Sequence, residues 1–435
     1  MNVKIKRPMG TLRGGGGAAA EAERAGSARS AVTYLAIPRP WFISLLVILV
    51  APWLAVAAFL LKPEAPAEGR PPDPAQERRV GRWGKLTLLP IVIAPPMELV
   101  FTDWGFSPHP AWFFPGTDAD GAVALLRAVG VPGEDADRLR GKMRTERRTG
   151  GVLLLPDPAW VRGLEPGLRG RLYHLLAGNG FNPDQVQAFR FRGASLEEWL
   201  GGAMIDGRTR GLVEPLVYRD GDYMLFSDIE LVRAEIGEEE LRRLGKGLFR
   251  QRTVLAGLSV GAPGDLDALV EYWGRGGRRT EIRPLLESIS RGESETVDVV
   301  HLLPPFARDR LYSYPQLSVA DLDRPTVANC LWTALNFFSS RPDDRFLDDA
   351  VALRTLREDY FIVEGELELG DIIAFVDESG DFFHAVVQIA DNLVFSKNGI
   401  SALSPWTLMT LEEVKGYYRW RSENPRLIVH RRKGL

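Results

Sequence analysis

Apolar and polar positions in the last part of this chain fall into blocks that set out one helix followed by a meander of strands. Leu331, Ala334, Leu335 and Phe338 recur at the three-to-four spacing of a single buried helical face, and Pro325 and Asn329 mark the start of that helix. Farther on, Gly365-Glu366-Leu367-Glu368-Leu369-Gly370-Asp371 leads into an apolar strand, Ile372 to Val376. The Asp-Glu-Ser-Gly-Asp turn at 377–381 reverses the chain, and His384 to Ala390 reads as the next strand. Asp391-Asn392 turns it again, Leu393 to Lys397 returns, and Asn398-Gly399 closes the third strand.

Between about 83 and 300 short apolar strands alternate with amphipathic helices. Leu86 to Ala94 and Val152 to Leu155 have strand character. Gly121 to Val129, Leu168 to Leu176 and Glu238 to Leu244 have helical spacing, the second with Gly178 as its C-cap. The Asp-Gly turn inside Tyr218-Arg219-Asp220-Gly221-Asp222-Tyr223 marks a hairpin. The pattern predicts a mixed α+β module at 83–300, and no internal repeat is present.

The N-terminal pattern differs in kind. Trp41 to Leu61 carries no charge over 21 residues, roughly 31 Å of helix, enough to cross a bilayer core. Ala55-Val56-Ala57 resembles a signal-peptidase site, but the run is longer than a signal core and lies behind a long tail, so an uncleaved transmembrane helix at 40–62 is expected. Lys4, Lys6, Arg7, Arg13, Arg24, Arg29 and Arg39 precede it against Glu21 and Glu23, which predicts a cytoplasmic N-terminus, an inner-membrane anchor and an extracytoplasmic bulk. Residues 1–39, rich in Gly, Ala and Arg, read as a disordered cytoplasmic tail. Residues 63–82 read as a stiff Pro-rich linker.

With 435 residues the chain has room for two or three domains. A net charge of −3 with dispersed aromatics gives no support for nucleic-acid binding. The single cysteine, Cys330, excludes an internal disulfide, so the thiol is either core or chemistry. It falls in the first helical turn, where unsatisfied N–H groups favour thiolate, and the strand histidine His384 follows about fifty residues later.

These residues resemble the NlpC-type papain-like cell-wall peptidases over the C-terminal ~120 residues. The matching elements are Asn329-Cys330 at a helix start, Gly370-Asp371-Ile372-Ile373-Ala374-Phe375 opening a strand, His384 at the start of the next, and Ser396-Lys397-Asn398 on the third. The resemblance implies a Cys-bearing helix packed on an antiparallel sheet at 301–435. It also implies an amide-cleaving thiol hydrolase acting on peptidoglycan peptides, with no cofactor. Cys330 would attack, His384 would act as base and then acid, and the strand-three polar residue would orient the imidazole. For that last role, counting along the strand from His384 points at Ser396, whereas chemistry favours Asn398, whose amide oxygen accepts from an imidazole N–H. Asn398 is the assignment adopted. Leu331-Trp332 stands where the family commonly has Ser-Gly, which leaves the substrate open.

Two rival readings stay in view: an inactive envelope scaffold retaining the fold, and a thiol acyltransferase on the same fold. His109, His174, His301 and His430 are scattered without metal-ligand spacing, and no Gly-x-Ser-x-Gly or paired-carboxylate pattern marks another hydrolase class.

Overall fold

The computed structural model describes residues 76–77, 81–102, 109–148, 150–260, 266–292, 296–315 and 328–435. The chain enters through β1 (Gln76–Glu77) and β2 (Lys85–Ile93). In β2, Leu86 and Leu88 are buried while Lys85, Thr87 and Leu89 face out, the period of two expected of a half-covered strand. A helix-rich stretch then carries two small antiparallel sheets. One contains β3 (Trp112–Pro115), β4 (Met143–Glu146) and β5 (Gly151–Leu154), with β5 central. The other contains β6 (Phe189–Arg192), β7 (Tyr218–Asp220) and β8 (Tyr223–Phe226), with β8 central.

Between those sheets runs α1 (Pro166–Gly178), opened by Pro166 in its first turn and by Glu165, whose carboxylate accepts from Leu168 N–H. Gly178 is its last helical residue, not its cap; the left-handed residue is Gly180, φ +71°. Trp112, Trp199, Phe191 and Phe226 fill the core here. Arg169 of α1 is fully buried in it, its guanidinium donating to Asp228, to the Val161 carbonyl and to Tyr173 while its Nε finds no partner.

The chain returns to β2 through β9 (Gln251–Ser259), which pairs with it along all nine residues, and β10 (Thr296–Asp298) completes the sheet β1-β2-β9-β10. Helices α2 (Leu266–Trp273) and α3 (Arg279–Arg291) lie between β9 and β10 in sequence. The remaining elements are α4 (Cys330–Leu335), α5 (Asp349–Glu358), β11 (Tyr360–Ile362), β12 (Ile372–Val376), β13 (Phe382–Ala390), β14 (Leu393–Lys397), β15 (Trp406–Thr410), α6 (Leu411–Tyr417) and β16 (Arg426–Arg432). The strands form one antiparallel sheet of order β11-β16-β12-β13-β14-β15. Ile372, Ala385, Val387, Phe395 and Leu408 line the face that receives α4. Ile373, Phe375, Val386, Val394 and Met409 line the opposite face with Val414 of α6 and Tyr418 just beyond it.

This α+β architecture corrects the expected one in two respects. Among the described residues no helix is long and apolar enough to cross a membrane; the apolar run at 40–62 and the tail at 1–39 lie outside the described residues. Nor does the core stop at residue 300. Leu86, Leu258, Trp273 and Leu286 belong to the same buried cluster as Leu331, Val387, Phe395 and Leu408.

Polar contacts cross the same junction. Thr253 of β9 donates to the Leu408 carbonyl (2.8 Å) and accepts from Leu408 N–H (3.1 Å) on β15. Tyr272 donates to the Ile389 carbonyl at 2.8 Å. Arg82, at the end of the expected linker, pairs with Glu366 and Glu368, and Arg275 and Arg431 also converge on Glu368. Gly370 takes φ +88° against Phe338, and a Cβ there would lie 2.1 Å from that ring, so glycine is required where the loop meets the helical layer.

Because one core spans the junction, a fragment of residues 301–435 should bare the face that β9 and α2 cover. We expect it to aggregate or to melt without a cooperative transition in calorimetry, whereas residues 76–435 melt as one unit. A soluble fragment with its own sharp transition would contradict this packing.

Candidate active site

Cys330 is the first residue of α4. Asn329 caps the helix, its side-chain oxygen accepting from Trp332 N–H at 2.8 Å, while its amide donates to Asp349 of α5 at 2.9 Å. The helix lies on β13 and β14 because Leu331, Trp332, Ala334 and Leu335 are all buried against the sheet. Cys330 is partly buried at the margin of that core. The backbone N–H groups of Ala385, of Leu331 and of Cys330 itself favour its thiolate. Pairing between β13 and β14 runs only from Ala390–Leu393 to Val387–Phe395, so Ala385 lies beyond the paired part of that ladder.

His384 precedes Ala385 on β13 and is buried. Its Nε2 lies 3.3 Å from Ser396 Oγ, and Ser396 Oγ donates to Asn398 Oδ1 at 2.6 Å. With its proton given to Asn398, the serine oxygen accepts the Nε2–H, which leaves Nδ1 as the basic nitrogen. Asn398, next along that chain, favours the protonated imidazole, and its Nδ2 donates to Met409 Sδ at 3.0 Å. Tyr418 stacks on the ring at a centroid distance of 4.2 Å, and Phe375 stands 5.6 Å away. The third-strand alternatives thus act as a unit: Ser396 and Asn398 both engage His384, in series.

Electrostatically, burial dominates. It pushes the Cys330 thiol up to about 11, with the Asp349 charge adding to the rise and the three N–H groups opposing it. Burial drives the His384 imidazole down to about 3 against the hydrogen bond to Asn398. The expected preference for thiolate at a helix start is therefore overturned in this resting arrangement: a helix of six residues offers a weak dipole, and desolvation of the anion outweighs it.

The structure brings His384, Ser396 and Asn398 into one hydrogen-bonded chain and sets Cys330 against the amide of the residue after His384. It does not join the thiol to the imidazole: among the described residues no hydrogen bond links them. Side chains alternate along β13, so His384 shares its face with Val386 and Tyr418, while Ala385 shares the face of α4.

Two buried neighbours of these residues escaped the sequence reading. Tyr418 lies just past α6, in no fixed spacing to His384. Lys397 ends an apolar strand and is fully buried; a lysine at a strand end ordinarily signals an exposed turn. Elsewhere His174 sits 3.9 Å from Asp220, and no group of three His, Cys, Asp or Glu capable of holding a metal occurs among the described residues. Compared with family models, with characterised proteins and with solved structures, the chain matches none.

The buried imidazole carries a pH signature. An unfolded His384 takes up a proton near 6.5, the native one only near 3, so its stabilising contribution is complete above pH 6.5 and is lost as pH falls toward 3. Between pH 6.5 and 4.5 the chain should lose about 2 kcal/mol more urea stability than a His384→Gln variant. Equal losses in the two proteins would contradict a neutral, buried His384.

Proposed function

We propose that this chain is a thiol hydrolase of the papain-like class that cleaves an amide bond, and by its resemblance one in a cell-wall peptide. The observation that carries the reading is the packing of the Cys330-bearing start of α4 on β13, the strand whose His384 has its tautomer set by Ser396 and Asn398.

In the reaction His384, which rests on the face of β13 turned away from α4, must first swing toward Cys330; its Nδ1 then takes the thiol proton and the sulfur attacks the scissile carbonyl. The N–H groups around the sulfur receive the developing oxyanion. Collapse breaks the C–N bond, and the proton goes from the imidazolium to the leaving amine. Water then cleaves the thioester through the same base, and the thiol returns. The resting structure holds thiol and imidazole on different faces of β13, so this chemistry requires a rearrangement on substrate binding beyond the tightening of a loose hydrogen bond.

One observation favours the scaffold reading. Thiol and imidazole are both held neutral and are not hydrogen-bonded to each other. Turnover separates the two. With defined cell-wall peptides and mass-spectrometric detection of the new amine, the wild-type chain should cleave, Cys330→Ala should not, and His384→Gln should be slower by about a hundredfold or more. Binding of the same peptides without cleavage, unchanged in Cys330→Ala, would replace the hydrolase with the scaffold.

A further inference from the structure

Lys397 closes β14 and is fully buried, and among the described residues no carboxylate pairs with it. A lysine in the interior is costly unless its amine is bonded. Its Nζ donates to the carbonyls of Gly399 (3.0 Å) and Ser401 (3.1 Å). Burial takes it down to about 7, and an amine without its extra proton has two N–H groups, one for each of those carbonyls.

The grip encloses a residue on which the site depends. Pairing of β14 with β15 ends at Lys397–Trp406, so Asn398 is the first residue past the ladder. A side chain that reaches from residue 397 to the carbonyl of 399 closes a ring around residue 398. The turn within that ring is abrupt, with Gly399 at φ +86°. Its far end is anchored as well: the Ser401 carbonyl also accepts from Ser404 N–H, and Ser401 Oγ accepts from Leu403 N–H, each at 3.1 Å. Side chains alternate along β14, so Lys397 lies with Phe395 on the side of α4 while Ser396 lies with Val394 on the other. On that other face Asn398 Oδ1 accepts from Ser396 Oγ at 2.6 Å, and Ser396 Oγ lies 3.3 Å from His384 Nε2. A shift of about 1 Å in the backbone at 398 would break the first of these contacts.

We propose that Lys397 is a positioning residue: by holding the 399–401 turn it sets Asn398, and through Asn398 and Ser396 it sets the tautomer and orientation of His384. The inference rests on the thiol-hydrolase reading for its purpose, while its test reads the imidazole directly and needs no turnover.

The quantity to follow is exchange of the His384 Nε2–H proton with water, by nitrogen-15 NMR of the folded chain at neutral pH, the signal being assigned by its loss in His384→Gln. Lys397→Met keeps the length of the side chain and loses its donors, so exchange should speed by about tenfold. Asn398→Ala should speed it as well. The double variant should be no faster than Asn398→Ala alone, because the lysine acts through the asparagine. Exchange at the wild-type rate in Lys397→Met overturns the proposal, and so does a double variant in which the two effects add. Peptide cleavage by such a protein would show that the hydrolase reading survives that failure. Should Lys397→Met not fold, Lys397→Gln, whose shorter amide can grip at most one carbonyl, should show the same acceleration to a smaller degree. Unchanged exchange there overturns the proposal equally.

Discussion

Alternation along β13 is the constraint on which the rest of the site depends. Consecutive residues of a strand point to opposite faces, so Ala385 and His384 cannot serve the same layer. The helix-facing side takes Ala385, Val387 and Ile389 into the large core, together with α4 and β9. The other takes His384 and Val386 into the smaller core beside α6. A one-residue slip of β13 would exchange these sets, placing an imidazole in the aliphatic core under α4 and removing it from Ser396 and Asn398. The burial of some forty apolar side chains thereby fixes the address of one histidine.

Desolvation is the second theme. Cys330, His384 and Lys397 are each moved by burial toward their neutral forms. What opposes burial differs in each case: backbone N–H groups for the thiol, an asparagine for the imidazole, and the thiol's own charge for the lysine. A site so arranged stores little charge at rest. The ion cluster of Arg82, Arg275 and Arg431 around Glu368 and Asp371 does something different. It ties the turn before β2, the α2–α3 turn and the last strand to the loop before β12, and so holds together segments that the core alone would join less specifically.

The local elements of the site were legible in the sequence because they rest on short-range physics. Asn329 is a cap, the Asp220-Gly221 signal marks a turn, and the run 372–376 is a continuous apolar strand buried on both faces. What could not be read is what depends on distant pairing. Strand β9 lies at 251–259 and finds its partner at 85–93; β16 comes last in the chain yet sits between β11 and β12. A core that crosses residue 300 leaves no mark in a local pattern, since both halves simply look amphipathic.

The thiol's role can be tested by trapping what it should form. The folded chain would be mixed with an activated short acyl ester, quenched in acid within the first turnover, and its intact mass measured before peptide mapping. A nucleophilic Cys330 predicts one acyl group per chain, located on Cys330, released by hydroxylamine as a thioester is, and absent from Cys330→Ala. A folded chain that stays unmodified, while the urea-unfolded chain is acylated at the same residue, would show a thiol that is buried but not used.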